Sequence, residues 1–290
     1  MQISRLPLRG AYRLHAPWFV LLLSLTAPVR ADHESGSNTS EKVLREHAVS
    51  ANLDFITPPF KGSHLYVPKD GNSKHAGVIV LHGSEGGRVN GADFIAMHFA
   101  REAGYAAMAL DYFHAPGLST DLDSIPVEYV VKAAKWMMRN SYAIKKPALI
   151  GYSRGAEFAI LVGSLDRGRT FSAIAVHSTH STTWPALHFV GDNVEGGYDA
   201  AWSYRGKDIP PFLLIDLWRF PGPVLLSHGK KDDVWSYTES TSLLDAARRH
   251  GKKNVLLLLH ANEGHGLSIA ASHRFYRQAI KLLRKPTGAP

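Results

Sequence analysis

Six apolar runs that do not alternate constrain this 290-residue chain more than any other feature. They fall at residues 77–82, 107–112, 148–152, 173–177, 224–228 and 255–260. A strand with one wet face alternates apolar and polar residues, whereas a strand covered on both faces reads as a continuous apolar run. The stretches between the runs carry helical spacing and helical stop signals. Residues 92–103 end at Gly104, a left-handed stop. Pro126 opens the next helix in its first turn, and Val127, Val130, Val131, Ala134, Met137 and Met138 follow at helical spacing. Ser236 and Glu239 have the spacing of a capping box before Leu243, Leu244 and Ala247. A last helix is expected to bury Ile269, Tyr276, Ala279, Ile280 and Leu283, with Arg284 and Lys285 at its negative end. Strand–helix alternation of this length implies an α/β fold, a mostly parallel doubly wound sheet with helices on both faces. Residues 53–56 and 64–67, around Pro58, Pro59 and Gly62, read as an antiparallel hairpin ahead of it.

Hydrophobic residues make up 45% of the chain and charged residues 20%, enough for a single domain over residues 51–286. Residues 1–31 read as an export signal: Arg5, Arg9 and Arg13, then the apolar stretch 18–25, then cleavage expected after Ala31. That stretch is shorter than the roughly 20 residues a bilayer span needs, so no membrane span is expected after cleavage. The protein is therefore expected to be exported, periplasmic or secreted. Residues 32–50 read as a flexible leader. The segment 180–221 lacks a clean period but carries Trp184, Trp202 and Trp218, and reads as a lid-like insertion. The formal charge of +8 is spread out rather than gathered in a stripe, which argues against nucleic acid as a partner. With no cysteine, disulfides and thiolate chemistry are excluded.

Candidate chemistry centres on Gly151-Tyr152-Ser153-Arg154-Gly155, a G-x-S-x-G stretch between an apolar run and a helix. A sharp strand-to-helix turn exposes the serine hydroxyl beside the helix N-terminus. A serine hydroxyl is a weak nucleophile without a base and an orienting acid, which in this topology follow in the order acid, then histidine. Asp232 and Asp233, just past the fifth run, are the candidate acids. His265, between Gly264 and Gly266 beyond the sixth run, is the candidate base, with His260 the alternative. The N–H of Arg154 and the N–H of Ser84 are the expected oxyanion donors, with Glu85 second for the latter. The P-loop lysine is missing after Gly83-Ser84-Glu85-Gly86-Gly87, and no histidine–carboxylate spacing suggests a metal, so no cofactor and no metal are expected.

These stretches, with residues 125–129, 223–226 and 232–235, resemble the α/β-hydrolase superfamily over about residues 75–266. The nearest likeness is to the catalytic domain shared by acyl-CoA thioesterases and bile acid-CoA:amino acid N-acyltransferases, with dienelactone hydrolases as relatives. The resemblance implies that Asp232, rather than Asp233, lies over the sheet. It implies acyl transfer from a small-molecule ester or thioester to water through an acyl-serine. Two other readings are an acyltransferase that uses an amine or alcohol in place of water, and a non-catalytic binding protein on a hydrolase scaffold.

Overall fold

The computed structural model describes residues 36–72, 74–190 and 193–284. In chain order, β1 (Leu53–Ile56) and β2 (His64–Pro68) form the expected antiparallel hairpin. β3 (Gly77–Leu81) and β4 (Ala106–Leu110) follow as a parallel pair, and β4 also takes β2 antiparallel. The two-residue β5 (Ile125–Pro126) stands outside the main sheet. β6 (Ala148–Tyr152) and β7 (Ile174–His177) extend the parallel ladder. The hairpins β8 (Pro185–Val190) with β9 (Asn193–Ala200) and β10 (Trp202–Tyr204) with β11 (Lys207–Ile209) come next. β12 (Val224–Gly229) and β13 (Val255–His260) then complete an eight-stranded sheet in the order β1-β2-β4-β3-β6-β7-β12-β13.

The continuous runs are explained by two cores, one on each face. Within β3, Ile79 and Leu81 enter one core and Val78 and Val80 the other. The first core is covered by α3 (Val127–Arg139), α4 (Arg154–Asp166) and α5 (Thr238–Arg249), through residues such as Val130, Phe158 and Leu243. The second lies under α1 (Gly36–Ser50), α2 (Gly91–Ala103) and α6 (Ile269–Leu283), through Leu44, Phe99 and Phe275. The sixth run departs from its expectation of two covered faces. β13 has only β12 beside it, and Leu256 on this edge is 50% exposed.

Four local expectations are corrected. Residues 36–50, expected within a flexible leader, form α1, because Leu44 and Ala48 make an i,i+4 stripe that packs under β1 and β2. A two-residue stripe in a polar segment has almost no periodic signal. Pro126 sits one residue before α3, extended at φ −71° and ψ 128°, rather than inside its first turn. Glu239 does not close a capping box on Ser236; its Oε2 accepts from the N–H and hydroxyl of Ser181 instead, so a tertiary contact displaces the local one. In α6 the buried stripe is Ala271, Phe275, Tyr276 and Ala279, which leaves Ile269 off the stripe and 51% exposed. The export signal assigned to residues 1–31 lies outside the described residues. Among the described residues no helix is long and apolar enough to cross a membrane.

The segment 180–221 is folded around a buried knot at the first turn of α4. Glu157 Oε1 accepts from the Trp202 indole N–H (2.6 Å) and the Trp184 N–H (2.8 Å), while Oε2 accepts from Arg154 Nη1 (2.8 Å). Arg154 Nη2 donates to the carbonyls of Trp184 (3.2 Å) and Pro185 (2.8 Å). The Phe158 ring stacks on Trp202 at 4.1 Å. Burial pushes the Glu157 carboxyl up and the Arg154 guanidinium down, and each opposes the shift of the other. Such a pair adds little over a packed apolar pair, but stranding one member costs about 3–5 kcal/mol. Glu157→Ala is therefore expected to lower unfolding free energy in urea by about 3–5 kcal/mol, and Glu157→Leu with Arg154→Met to recover part of it. Equal losses in the single and double variants would remove the ion pair from this role. Leu44→Ala is expected to cost about 2–5 kcal/mol by the same assay, whereas a freely swinging leader would show no change.

Candidate functional site

Four strand ends converge at the carboxyl edge of the sheet, where α/β sheets place their ligands. β6 delivers Ser153, β3 delivers the loop 82–87, β12 leads to Asp232, and the loop after β13 carries His265. Ser153 sits at φ 51° and ψ −121°, a backbone conformation rarely adopted outside glycine. Close approach holds it there. A Cβ on Gly155 would lie 2.3 Å from the carbonyl oxygens of Leu81 and His82, and one on Gly151 would lie 2.3 Å from the Gly155 carbonyl oxygen. The Ser153 N–H donates to the His177 carbonyl at 3.1 Å, which pins the turn to β7.

Three predicted side chains meet here. The Ser153 hydroxyl is 2.9 Å from His265 Nε2, and His265 Nδ1 is 2.9 Å from Asp232 Oδ2 and 3.1 Å from Oδ1. The Asp232 side chain is wholly buried, and the His265 side chain is 25% exposed. A carboxylate on Nδ1 fixes the tautomer that leaves Nε2 free to accept the serine proton. Asp233 lies exposed on the same loop. His260 is buried behind the site, with its Nε2 3.0 Å from Ser227 Oγ.

Two further features were not read from the sequence. His228, wholly buried, places Nε2 3.0 Å from Asp232 Oδ2, while its Nδ1 is 2.7 Å from Ser240 Oγ. Asp232 Oδ1 also accepts the N–H groups of Val234 and Trp235, each at 2.9 Å. Burial alone would raise the Asp232 carboxyl, but the bonds from His228 and His265 outweigh it and hold the group well below the usual carboxylate range. The i,i+4 spacing of His228 and Asp232 was the available signal. The second feature is a chain of buried polar groups under the base. His177 Nε2 lies 3.1 Å from the His265 carbonyl, and its Nδ1 lies 3.1 Å from Ser227 Oγ. Burial pulls the His177 imidazole down to about 3, so it is neutral at pH 7 and fixes the His265 backbone as a dipole rather than a charge.

The loop after β3 passes against the serine. A Cβ on Gly83 would lie 3.2 Å from Ser153 Cβ. The Gly83 N–H donates to Glu85 Oε1 at 2.8 Å. Among the described residues no acceptor takes the N–H of Ser84 or of Arg154, the latter in the first turn of α4 where helix geometry leaves donors open. Burial raises the Glu85 carboxyl, against the pull of backbone donors and of His265 nearby. A recess of about 650 Å³ beside Leu161, Ser164, Arg205 and Arg219 contains none of these groups, so it is not the site. Among the described residues no group of three or more His, Asp or Glu is arranged to hold a metal ion.

The lowered Asp232 acidity has a measurable consequence. A carboxyl depressed on folding adds stability above its unfolded value of about 3.9, and that stability is lost as pH falls through the folded value. The stability gap between wild type and Asp232→Asn is expected to be widest near pH 7 and to narrow below about pH 4. Denaturation midpoints at pH 7, 5 and 3 check this, and a gap that widens in acid contradicts it.

The chain is similar to several known proteins. The chain is 26% identical to acyl-coenzyme A thioesterase 6 of Mus musculus over 258 residues, covering 83% of this chain and 57% of that protein. It is 24% identical to acyl-coenzyme A amino acid N-acyltransferase 1 of Mus musculus over 217 residues, 69% of this chain and 50% of that one. The chain thus spans about half the length of the curated relatives it matches. Among solved structures, an esterase of Pyrococcus furiosus superposes with a TM-score of 0.59 at 15% identity, covering 83% of this chain and 96% of its own. A dienelactone hydrolase-like promiscuous phosphotriesterase from metagenomic libraries superposes with a TM-score of 0.56 at 15% identity, covering 80% and 98%. The residue pattern of the prolyl oligopeptidase family matches residues 113–285, which include the serine elbow, the acid loop and the histidine loop. With an α/β-hydrolase fold and more than half its length matched by that pattern, the chain belongs to the prolyl oligopeptidase family.

Proposed function

We propose that this protein is an exported serine hydrolase that cleaves a carboxylic ester or thioester through an acyl-serine intermediate. The observation that carries the reading is the continuous bonded path from Ser153 Oγ through His265 to Asp232, with 2.9 Å at both key links. In the first half-reaction the Ser153 oxygen attacks the acyl carbon while His265 Nε2 takes the hydroxyl proton. The carbonyl electron pair moves to oxygen, and the N–H groups of Ser84 and Arg154 receive that charge. Collapse of the tetrahedral intermediate expels the alcohol or thiol, which leaves with the proton from His265. Water then repeats the sequence on the acyl-serine, and the acid departs. Asp232 stays ionised throughout and stabilises the imidazolium. Export rests on the charge and hydropathy of residues 1–31.

Esterases and thioesterases among the similar proteins support the ester or thioester bond as target. The likeness to an N-acyltransferase favours one second reading, in which an amine takes the acyl group in place of water. A hydrolysis screen with short and long acyl esters and thioesters, run with and without glycine or taurine, separates them by product. Free acid alone is expected. An amide product that grows with amine concentration would make the protein a transferase.

Single substitutions divide the two aspartates. Asp232→Asn is expected to lower kcat about 10⁴-fold, and Ser153→Ala about 10⁶-fold. Asp233→Asn is expected to stay within about threefold of wild type, since nothing at the site depends on an exposed carboxylate. The reverse order for the two aspartates in steady-state kinetics would reassign the acid.

A further inference from the structure

An aromatic wall runs outward from the imidazole of the candidate site. The Trp235 ring meets the His265 ring edge-on at 5.9 Å. Trp184 lies 6.2 Å from Trp235, and His180 fits between them at 4.5 Å and 5.5 Å. Phe212 completes the row, edge-on to Trp184 at 5.8 Å. Trp235 comes from the acid loop, while His180, Trp184 and Phe212 come from the 180–221 insertion. Two unrelated segments therefore contribute rings to one surface.

Three observations set this wall apart from a core cluster. Phe212 is 54% exposed although aromatic and flanked by strand-like pairing. It sits at φ 63°, where a bulky side chain is disfavoured, and it is held there by its N–H on the Thr183 carbonyl at 2.6 Å. Such outliers gather at ligand clamps. Finally, among the described residues the indole N–H groups of Trp184 and Trp235 make no hydrogen bond, with Trp184 half-buried and Trp235 6% exposed. Tryptophan donors in a packed setting ordinarily find a partner. Two donors without a partner among mutually inclined rings suit a ligand that brings a ring and a polar rim.

We propose that this wall is the leaving-group subsite and that it selects substrates whose alcohol or thiol portion carries an aromatic ring. The inference rests on the hydrolase reading above and specifies its substrate class. His265 hands its proton to the departing oxygen or sulfur, so the surface flanking His265 on the acid-loop side contacts the departing portion. The loop 82–87 lies against Ser153 by way of Gly83 and is left to the acyl carbonyl. The knot at Arg154 and Glu157 fixes Trp184 through its N–H and its carbonyl, so the wall is preorganised rather than gathered by the substrate.

The test compares benzyl acetate with cyclohexylmethyl acetate, whose alcohols have similar acidity and bulk, and adds ethyl 3-phenylpropionate as the reversed arrangement. Wild type is expected to favour benzyl over cyclohexylmethyl about tenfold in kcat/KM. Trp184→Ala and Phe212→Ala are expected to erase that ratio, with a loss in kcat/KM about tenfold larger for benzyl acetate than for cyclohexylmethyl acetate or ethyl acetate. A loss shared equally by all esters shows a merely structural role and overturns the proposal. So does an aromatic preference that appears only on the acyl side. If wild type turns over no ester, the hydrolase reading fails by itself. The subsite is then judged by benzyl alcohol binding to wild type and Trp184→Ala, followed by tryptophan fluorescence. Binding lost in the variant supports the wall, and no binding to wild type overturns it.

Discussion

The close passage of α4 across the end of β3 governs the whole site. Where the Gly155 Cα approaches the carbonyls of Leu81 and His82, no side chain fits, and Gly151 faces the same limit against Gly155. Only with both glycines in place can the chain turn tightly enough to hold Ser153 at positive φ. The turn brings the Ser153 hydroxyl to His265 and sets the Gly83 loop alongside. The central parallel strands, packed on both faces, supply the rigidity that sustains such strain. Fold and chemistry are thus linked through one packing distance.

The histidine side depends on electrostatics instead. Asp232 is buried with four donors around it, two of them imidazoles. That environment holds a negative charge in a place where burial would otherwise neutralise it. The neutral His177 beneath His265 fixes the backbone of the base without adding a competing charge. The insertion is joined to this arrangement at the residue after the serine, since the guanidinium of Arg154 donates to the carbonyls of Trp184 and Pro185.

Much of this was legible in the chain. The six apolar runs located six of the eight strands of the main sheet, and the alternation of runs and helical stretches gave its parallel winding. Ser153, Asp232 and His265 were legible because each follows a strand end and glycines mark each loop. The choice between Asp232 and Asp233 came from resemblance and not from the residues, because adjacent acids on a turn differ only in which one the fold buries. What stayed hidden was tertiary. Helix α1 has two buried anchors in a polar stretch, and Glu239 looked like a cap until its carboxylate was seen to accept from Ser181. Nothing in the local pattern paired Arg154 with Glu157, which a distant tryptophan joins in a buried cluster. No local period records a partner 45 residues away.

The central claim is that the strained turn makes Ser153 a nucleophile through His265. Reaction with a fluorophosphonate probe, followed by intact mass and peptide mapping, tests it most directly. One adduct per chain is expected, on the peptide containing Ser153, formed quickly by wild type and at least about a thousandfold more slowly by His265→Ala. A wild type that takes no adduct, or takes it on another residue, would contradict the account.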